Sequence, residues 1–183
     1  MGESAGVAFR RATSNDAEAV ALLHADSWRR HYRGAYSDAF LDGDADRDRL
    51  QVWADRLSIR DERTSTILAE YKSRLIGFVH VIFDEDAEYG SLIDNLHVVH
   101  DWKRRGVGTE LMSRAAGALE GAPGGLYLWV LEQNSTAQAF YRARSGRCTG
   151  RRLAEPPPGT SGGLNGSPVV LRYAWADPTK LIV

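Results

Sequence analysis

The sequence holds one cysteine, Cys148, so it can close no internal disulfide and offers no thiolate set for a structural metal. No apolar run approaches the roughly 20 residues that span a bilayer. The opening Met1-Gly-Glu-Ser-Ala-Gly6 lacks the basic-then-apolar layout of a secretory signal, and Gly6 stands where a myristoylation signal requires Ser or Thr. Charge of one sign is missing too. Twenty-three Lys and Arg against 24 Asp and Glu leave a net charge of −1, so nothing global draws the chain to polyanions. His24, His31, His80, His97 and His100 show no His-Glu-x-x-His or similar metal spacing. With 43% apolar and 26% charged residues, disorder is excluded as well. These absences predict a soluble cytoplasmic protein without a metal or a membrane role, one domain spanning residues 1–183.

Apolar periodicity supplies the element order. Val7–Ala12 is β-prone, and Asn15 with Glu18 has capping-box spacing for a helix whose apolar side holds Val20, Leu22, Leu23 and Trp28. Leu50, Trp53, Ala54 and Leu57 form one face of a second helix. Thr64–Tyr71 and Leu75–Phe83 read as a hairpin, the run Asp84–Glu88 as an acidic loop, and Ser91–Val99 as a third strand. A helix with Leu111, Ala115, Ala118 and Leu119 on one face follows and stops at Gly121. Gly125–Glu132 is apolar enough for a strand buried on both faces. Ser135 and Gln138 open another helix, and strands near Arg147–Leu153 and Val169–Trp175 flank the Pro/Gly/Ser-rich tract Pro156–Pro168, read as a long flexible loop. The order β-α-α-β-β-β-α-β-α-β-β describes a mixed α/β (α+β) fold with a mostly antiparallel front half.

The densest positive charge lies in Asp101-Trp-Lys-Arg-Arg-Gly-Val-Gly-Thr109, between a strand and a helix. A helix N-terminus exposes unpaired N–H groups, and glycines let a ligand approach the backbone, so Lys103, Arg104 and Arg105 with Gly106, Val107, Gly108 and Thr109 could cradle an anion. Spacing alone allows a solvated basic turn equally well. Two nucleotide motifs fail: there is no Walker loop, and Leu111 stands where a dinucleotide fingerprint needs its third glycine or alanine. Three adjacent cations without a wider basic face also exclude nucleic-acid binding.

Leu96-His-Val-Val-His-Asp-Trp-Lys-Arg-Arg-Gly-Val-Gly108 resembles the acetyl-CoA motif of the GNAT superfamily of N-acetyltransferases, Arg/Gln-x-x-Gly-x-Gly/Ala after a strand ending Leu-Tyr-Val. Leu126–Gly146 resembles the family's Leu-x-Val-x-x-x-Asn-x-x-Ala-x-x-Phe-Tyr-x-x-x-Gly segment, matching Asn134, Ala137, Phe140, Tyr141 and Gly146. The opening helices are similar too, so the resemblance covers nearly the whole chain. It implies one GNAT-like domain with helices on both faces of a central mixed sheet, binding acetyl-CoA as co-substrate. The departures are Lys103 for Arg/Gln, His97 for the usual tyrosine, and Arg147 where a phenylalanine normally follows the glycine, in a helix end that reads Arg-Ala-Arg-Ser-Gly-Arg.

The resemblance implies that the strand at Leu96, His97 and Val98 splays from its neighbour, pairs with the pantetheine arm and polarises the thioester through a backbone N–H. Lys103 through Thr109 would hold the pyrophosphate and Asn134 the arm. Tyr141 would act as general acid toward the sulfur. For the general base there are two carboxylates: Asp94, placed by period-2 alternation on the face of Leu96 and Val98, and Glu132 at the end of the next strand. His97 then points to the opposite face and reads as structural. Trp28, Tyr32 and Tyr36 cluster where the family's acceptor site is walled. The main expectation is transfer to a primary amine of a small molecule in a ternary complex, by a monomer or homodimer. The alternatives are a protein lysine or N-terminus as acceptor, favoured by an open cleft, or a non-catalytic CoA-binding module.

Overall fold

The computed structural model describes residues 6–119, 124–156 and 163–182. Strand β1 (Val7–Arg11) leads to helix α1 (Ala17–His31), a π-helical turn (Phe40–Asp44) and α2 (Ala45–Ser58). Then come β2 (Thr64–Tyr71), β3 (Arg74–Asp86), β4 (Gly90–Val98), α3 (Val107–Gly117), β5 (Leu126–Leu131), α4 (Ser135–Arg142), β6 (Arg147–Leu153) and β7 (Val169–Trp175). The order agrees with the sequence reading. Among the described residues the seven strands form one sheet ordered β1-β2-β3-β4-β5-β7-β6, in which the only parallel neighbours are β4 and β5. The β2–β3 hairpin turns on Lys72 and Ser73, both at positive φ (48° and 63°), as a two-residue turn between right-twisted strands requires.

Helices α3 and α4 pack on one face of the sheet over Val79, Ile93, Leu128 and Tyr173, while α1 and α2 cover the other over Phe78 and Leu68. Toward β6 no helix covers this second face among the described residues. Guanidinium groups lie over its aromatic rings there, Arg152 4.4 Å from Trp129 and Arg172 3.5 Å from Tyr89.

Several local expectations need correction. The carboxylate that accepts the Thr13 N–H (2.7 Å) belongs to Asp16, so the observed pair lies two residues before the predicted Asn15–Glu18 pair. Leu22 of α1 is exposed. The buried stripe of α2 is Ala45, Asp48, Arg49 and Trp53, which turns Leu50 and Ala54 to solvent. A charged pair can occupy that stripe because Arg49 donates to Asp48 at 2.9 Å and stacks 4.2 Å over Trp28. Ala118 lies past the end of α3 and is exposed, and the stop at Gly121 falls outside the described residues. Asp84, Glu85 and Asp86 belong to β3, so only the remainder of the acidic run is turn. Asn134, not Ser135, caps α4, and Gln138 donates its side-chain amide to the Glu132 carbonyl at 2.7 Å. Of the Pro156–Pro168 tract, residues 157–162 lie outside the description. Beyond them Leu164 bridges Tyr36, and the Asn165 N–H donates to the Ala35 carbonyl at 2.8 Å.

Candidate active site

Strands β4 and β5 pair only at Ser91 with Leu126 and Leu92 with Tyr127. Gly90 closes this end of the wedge. Its φ of +81° and an added Cβ only 2.3 Å from the Gly125 carbonyl oxygen leave room for glycine alone. From Ile93 to Val98 the β4 edge facing β5 has no strand partner among the described residues, so its N–H and C=O groups are open to a ligand. A bulge sets where side chains point: Ile93 lies opposite Val81 and Asn95 opposite His80, leaving Asp94 as the extra residue. Leu96 and Val98 pack toward α3, and His97 faces α1, its Nδ1 2.8 Å from Ser27 Oγ.

At the open end, α3 starts on Gly106, in the left-handed region at φ 85°. The Glu110 N–H makes the first helical bond, to the Gly106 carbonyl (3.0 Å), so the N–H groups of Val107, Gly108 and Thr109 have no partner within the helix and carry its positive dipole end. Arg104 and Arg105 are exposed beside this turn, whereas Lys103 folds back to α1, its Nζ 2.7 Å from His31 Nε2. Burial lowers the Lys103 pKa, and Arg30 adds to the effect.

A further cation, Arg144, was not singled out in the sequence. It donates to Thr109 Oγ1 and to the Phe140 carbonyl (2.9 Å) and lies 3.6 Å over the Phe140 ring. Its Nε is buried without a hydrogen-bond partner, and burial lowers its pKa. The only sequence signal was a cation four residues after the motif phenylalanine, hidden in a segment noted for what it lacked. A buried donor left over beside a helix N-terminus fits an anionic ligand such as a diphosphate, because an unpaired donor is costly until it is met. Asn134 spends its side-chain oxygen on the Ala137 N–H (3.2 Å), which leaves its amide N–H groups for a ligand.

Tyr141 comes from α4 and is only 8% exposed, packed against Phe140, Tyr173 and Trp175. Burial, then the neighbouring Tyr32, pushes its hydroxyl well above the ordinary tyrosine range, so it keeps its proton at neutral pH. Burial, with Asp94 next, pushes Tyr32 up to about 12. Tyr32 is thus within electrostatic range of both Tyr141 and Asp94. The bulge overturns the alternation argument for Asp94: its carboxylate meets Arg56 of α2 (2.8 Å), on the side that His97 also faces. Glu132 lies apart, exposed and ion-paired with Arg151 of β6 at 3.1 Å.

The three aromatics separate as well. Trp28 and Tyr36, each 3% exposed, stack at 5.1 Å within the core, and only Tyr32 reaches solvent. None of the three lines the open cleft of about 280 Å³, whose walls are Arg30, His31, Arg33 and the Gln133–Thr136 turn. Among the described residues no helix is long and apolar enough to cross a membrane, and no group of three His, Cys, Asp or Glu could hold a metal ion.

Comparison with known proteins agrees with this geometry. Residues 25–146 match the Acetyltransferase (GNAT) family. A probable N-acetyltransferase of Mycobacterium tuberculosis is 27% identical over 156 residues, 82% of this chain and 86% of that protein. The uncharacterized N-acetyltransferase YuaI of Bacillus subtilis is 25% identical over 142 residues, 76% and 79% of the two chains. In fold, the chain superposes on the PaiA N-acetyltransferase of Thermoplasma acidophilum in complex with coenzyme A, with a TM-score of 0.68 at 17% identity over 92% of this chain and 99% of that one. NAA60 of Arabidopsis thaliana, in complex with a bisubstrate analogue, gives 0.66 at 20% identity over 92% and 97%. The chain belongs to the GNAT family and is an N-acetyltransferase, an enzyme of acetyl-CoA-dependent acyl transfer.

Proposed function

We propose that the protein transfers the acetyl group of acetyl-CoA to a primary amine presented by a peptide chain, at its N-terminus or a lysine. The observation that carries this choice is the fate of the expected aromatic wall. A closed pocket for a small amine needs Trp28, Tyr32 and Tyr36 around a void, but Trp28 stacks on Tyr36 at 5.1 Å and on Tyr32 at 5.5 Å, and none of the three lines the open cleft at His31.

Acetyl-CoA supplies a thioester carbonyl open to attack by a neutral amine. Gly106 through Thr109, with Lys103 and Arg144, hold the diphosphate, and the unpaired β4 edge at Leu96–Val98, with Asn134, orients the pantetheine arm. Arg104 and Arg105 add positive potential from the rim. One N–H of the β4 edge serves as the oxyanion donor. Asp94 takes the ammonium proton, directly or through water, and Arg56 holds its carboxylate in place. Tyr141 keeps its proton until the sulfur leaves and then donates it. Glu132, turned to Arg151, drops behind Asp94 as the base. The enzyme functions as a single cytoplasmic domain, alone or as a homodimer.

The test is a panel of acceptors in a CoA-thiol release assay: peptides with free N-termini, N-blocked peptides with and without lysine, polyamines and aminoglycosides. Peptides should be turned over fastest, and the blocked set separates N-terminus from lysine. Rapid turnover of a small amine with none of any peptide would sink the peptide reading and restore the small-molecule one.

A further inference from the structure

Beyond their ends, the two arms of the wedge are tied to a single residue, the last of α1. Lys103, on the turn after β4, reaches His31 Nε2 at 2.7 Å. Gln133, on the turn after β5, donates its amide to the His31 carbonyl at 3.4 Å and to the Arg33 carbonyl at 2.8 Å. His31 therefore lines both hollows at this mouth, the small one of about 10 Å³ against Val98 and Val99 and the open one of about 280 Å³ at the start of α4.

The Lys103 bond fixes a protonation state. An ammonium has three donors and no lone pair, so His31 Nε2 must be bare and the ring neutral, with its proton on Nδ1. Lys103 is thus held by a neutral acceptor. Asp26, the acid whose field it feels, is taken by Arg30 at 2.8 Å. A diphosphate is a far stronger partner for an ammonium than a neutral imidazole.

We propose that His31 and the diphosphate of the cofactor compete for Lys103, so that cofactor binding frees the His31 imidazole and is coupled to its protonation. The proposal rests on the cofactor reading of the glycine turn. While Lys103 is bound to it, His31 resists protonation, first through burial and then through the lysine charge. Once Lys103 turns to the anion, the bare Nε2 lies beside negative charge and takes up a proton. The charged groups facing His31 are Asp26 and Arg30 on α1, Arg33 just beyond it, His97 on β4, and His100 and Lys103 on the following turn. The Gln133–Thr136 turn brings no ionisable side chain. His97 is held neutral down to about 3 by burial and then by His31, which leaves His100 as the other imidazole to control for.

The experiment is calorimetric titration with dephospho-CoA, whose diphosphate, unlike the 3′-phosphate of CoA, does not titrate near neutrality. It is run near pH 6.5 in two buffers of different ionisation enthalpy, and again at pH 6 and 8. The wild type should take up roughly half a proton or more per site and bind about three- to tenfold tighter at pH 6 than at pH 8. His31→Leu should lose the uptake and bind as tightly or more tightly at pH 8, because the competitor for Lys103 is gone. His100→Asn should keep the uptake. Proton-neutral binding by the wild type overturns the proposal whatever the variants do. So does a folded His31→Leu protein that keeps the uptake or loses tenfold in affinity at pH 8. Failure of both CoA and dephospho-CoA to bind the wild type would instead overturn the cofactor reading, and the proposal with it.

Discussion

The histidines packed under α1 and α2, His24 and His80 buried and His97 half-buried, should make this fold sensitive to mild acid. His24 accepts a hydrogen bond from Trp53 Nε1 at 3.0 Å, and an indole N–H can only donate, so that ring must stay neutral. His80 lies 2.8 Å from Thr66 Oγ1 and is lowered to about 4, by burial and then by Arg56. His97 is lowered to about 3, and His24 is also held well below its ordinary range, chiefly by burial. These folded-state values sit below the unfolded one of about 6.5. As pH falls, the unfolded chain therefore takes up protons first. The stability from neutral burial is complete above about 6.5 and is lost as pH drops toward the folded values. At pH 5 the loss is about 2 kcal/mol each for His80 and His97, about 4 kcal/mol together, a large fraction of a typical domain's stability. Carboxylates do not blur this window. Asp16, lowered to about 2 by Arg10, gives up its stabilisation only below about pH 4. Urea unfolding at pH 7.5, 6.5, 5.5 and 5.0 measures the slope. A His80→Asn/His97→Asn protein, less stable at every pH, should have its pH dependence reduced by about those 4 kcal/mol, with the share of His24 remaining. A wild type whose unfolding free energy stays within 1 kcal/mol from pH 7.5 to 5, or a double variant with the same slope, would refute the reasoning.

Other expectations follow from the site. Tyr141→Phe should lower kcat by about 100-fold or more with little change in acetyl-CoA affinity, read from steady-state kinetics and direct binding; an unchanged kcat with chemistry rate-limiting removes it as the acid. Arg144→Ala should weaken CoA binding by roughly 1.5–3 kcal/mol, about 10- to 100-fold, in calorimetry; unaltered affinity would show that its unpaired Nε serves no anion. Acetyl-CoA at 100 times its dissociation constant should stabilise the fold by about 2.7 kcal/mol, seen as a raised Tm. Gly90→Ala forces a Cβ against the Gly125 backbone at positive φ and should cost several kcal/mol or prevent folding; a wild-type melting curve would contradict the closed-end geometry.

Much of this enzyme was legible in the chain because the decisive signals are local. The strand and helix order follows from apolar periods of two and 3.6, and the expected cofactor loop from a family resemblance whose glycines and cations lie within a few residues of one another. What the sequence reading missed depends on groups meeting across long separations. The α2 stripe was misplaced because Arg49 and Asp48 are buried as an ion pair with Arg49 over Trp28, and periodicity scores them as surface. Asp94 was assigned its face by alternation, which one inserted bulge residue defeats. Arg144 beside Thr109, Lys103 against His31, and Glu132 drawn away to Arg151 are contacts that no window of sequence contains. The sequence by itself determined the fold class and the family, because the motifs and periodicities that carry them act within a turn or two of the residues that cause them. Only the tertiary structure decided which arginine each carboxylate meets, which aromatics are merely core, and which residues line the open cleft at His31. Those depend on distances between elements, and packing sets such distances.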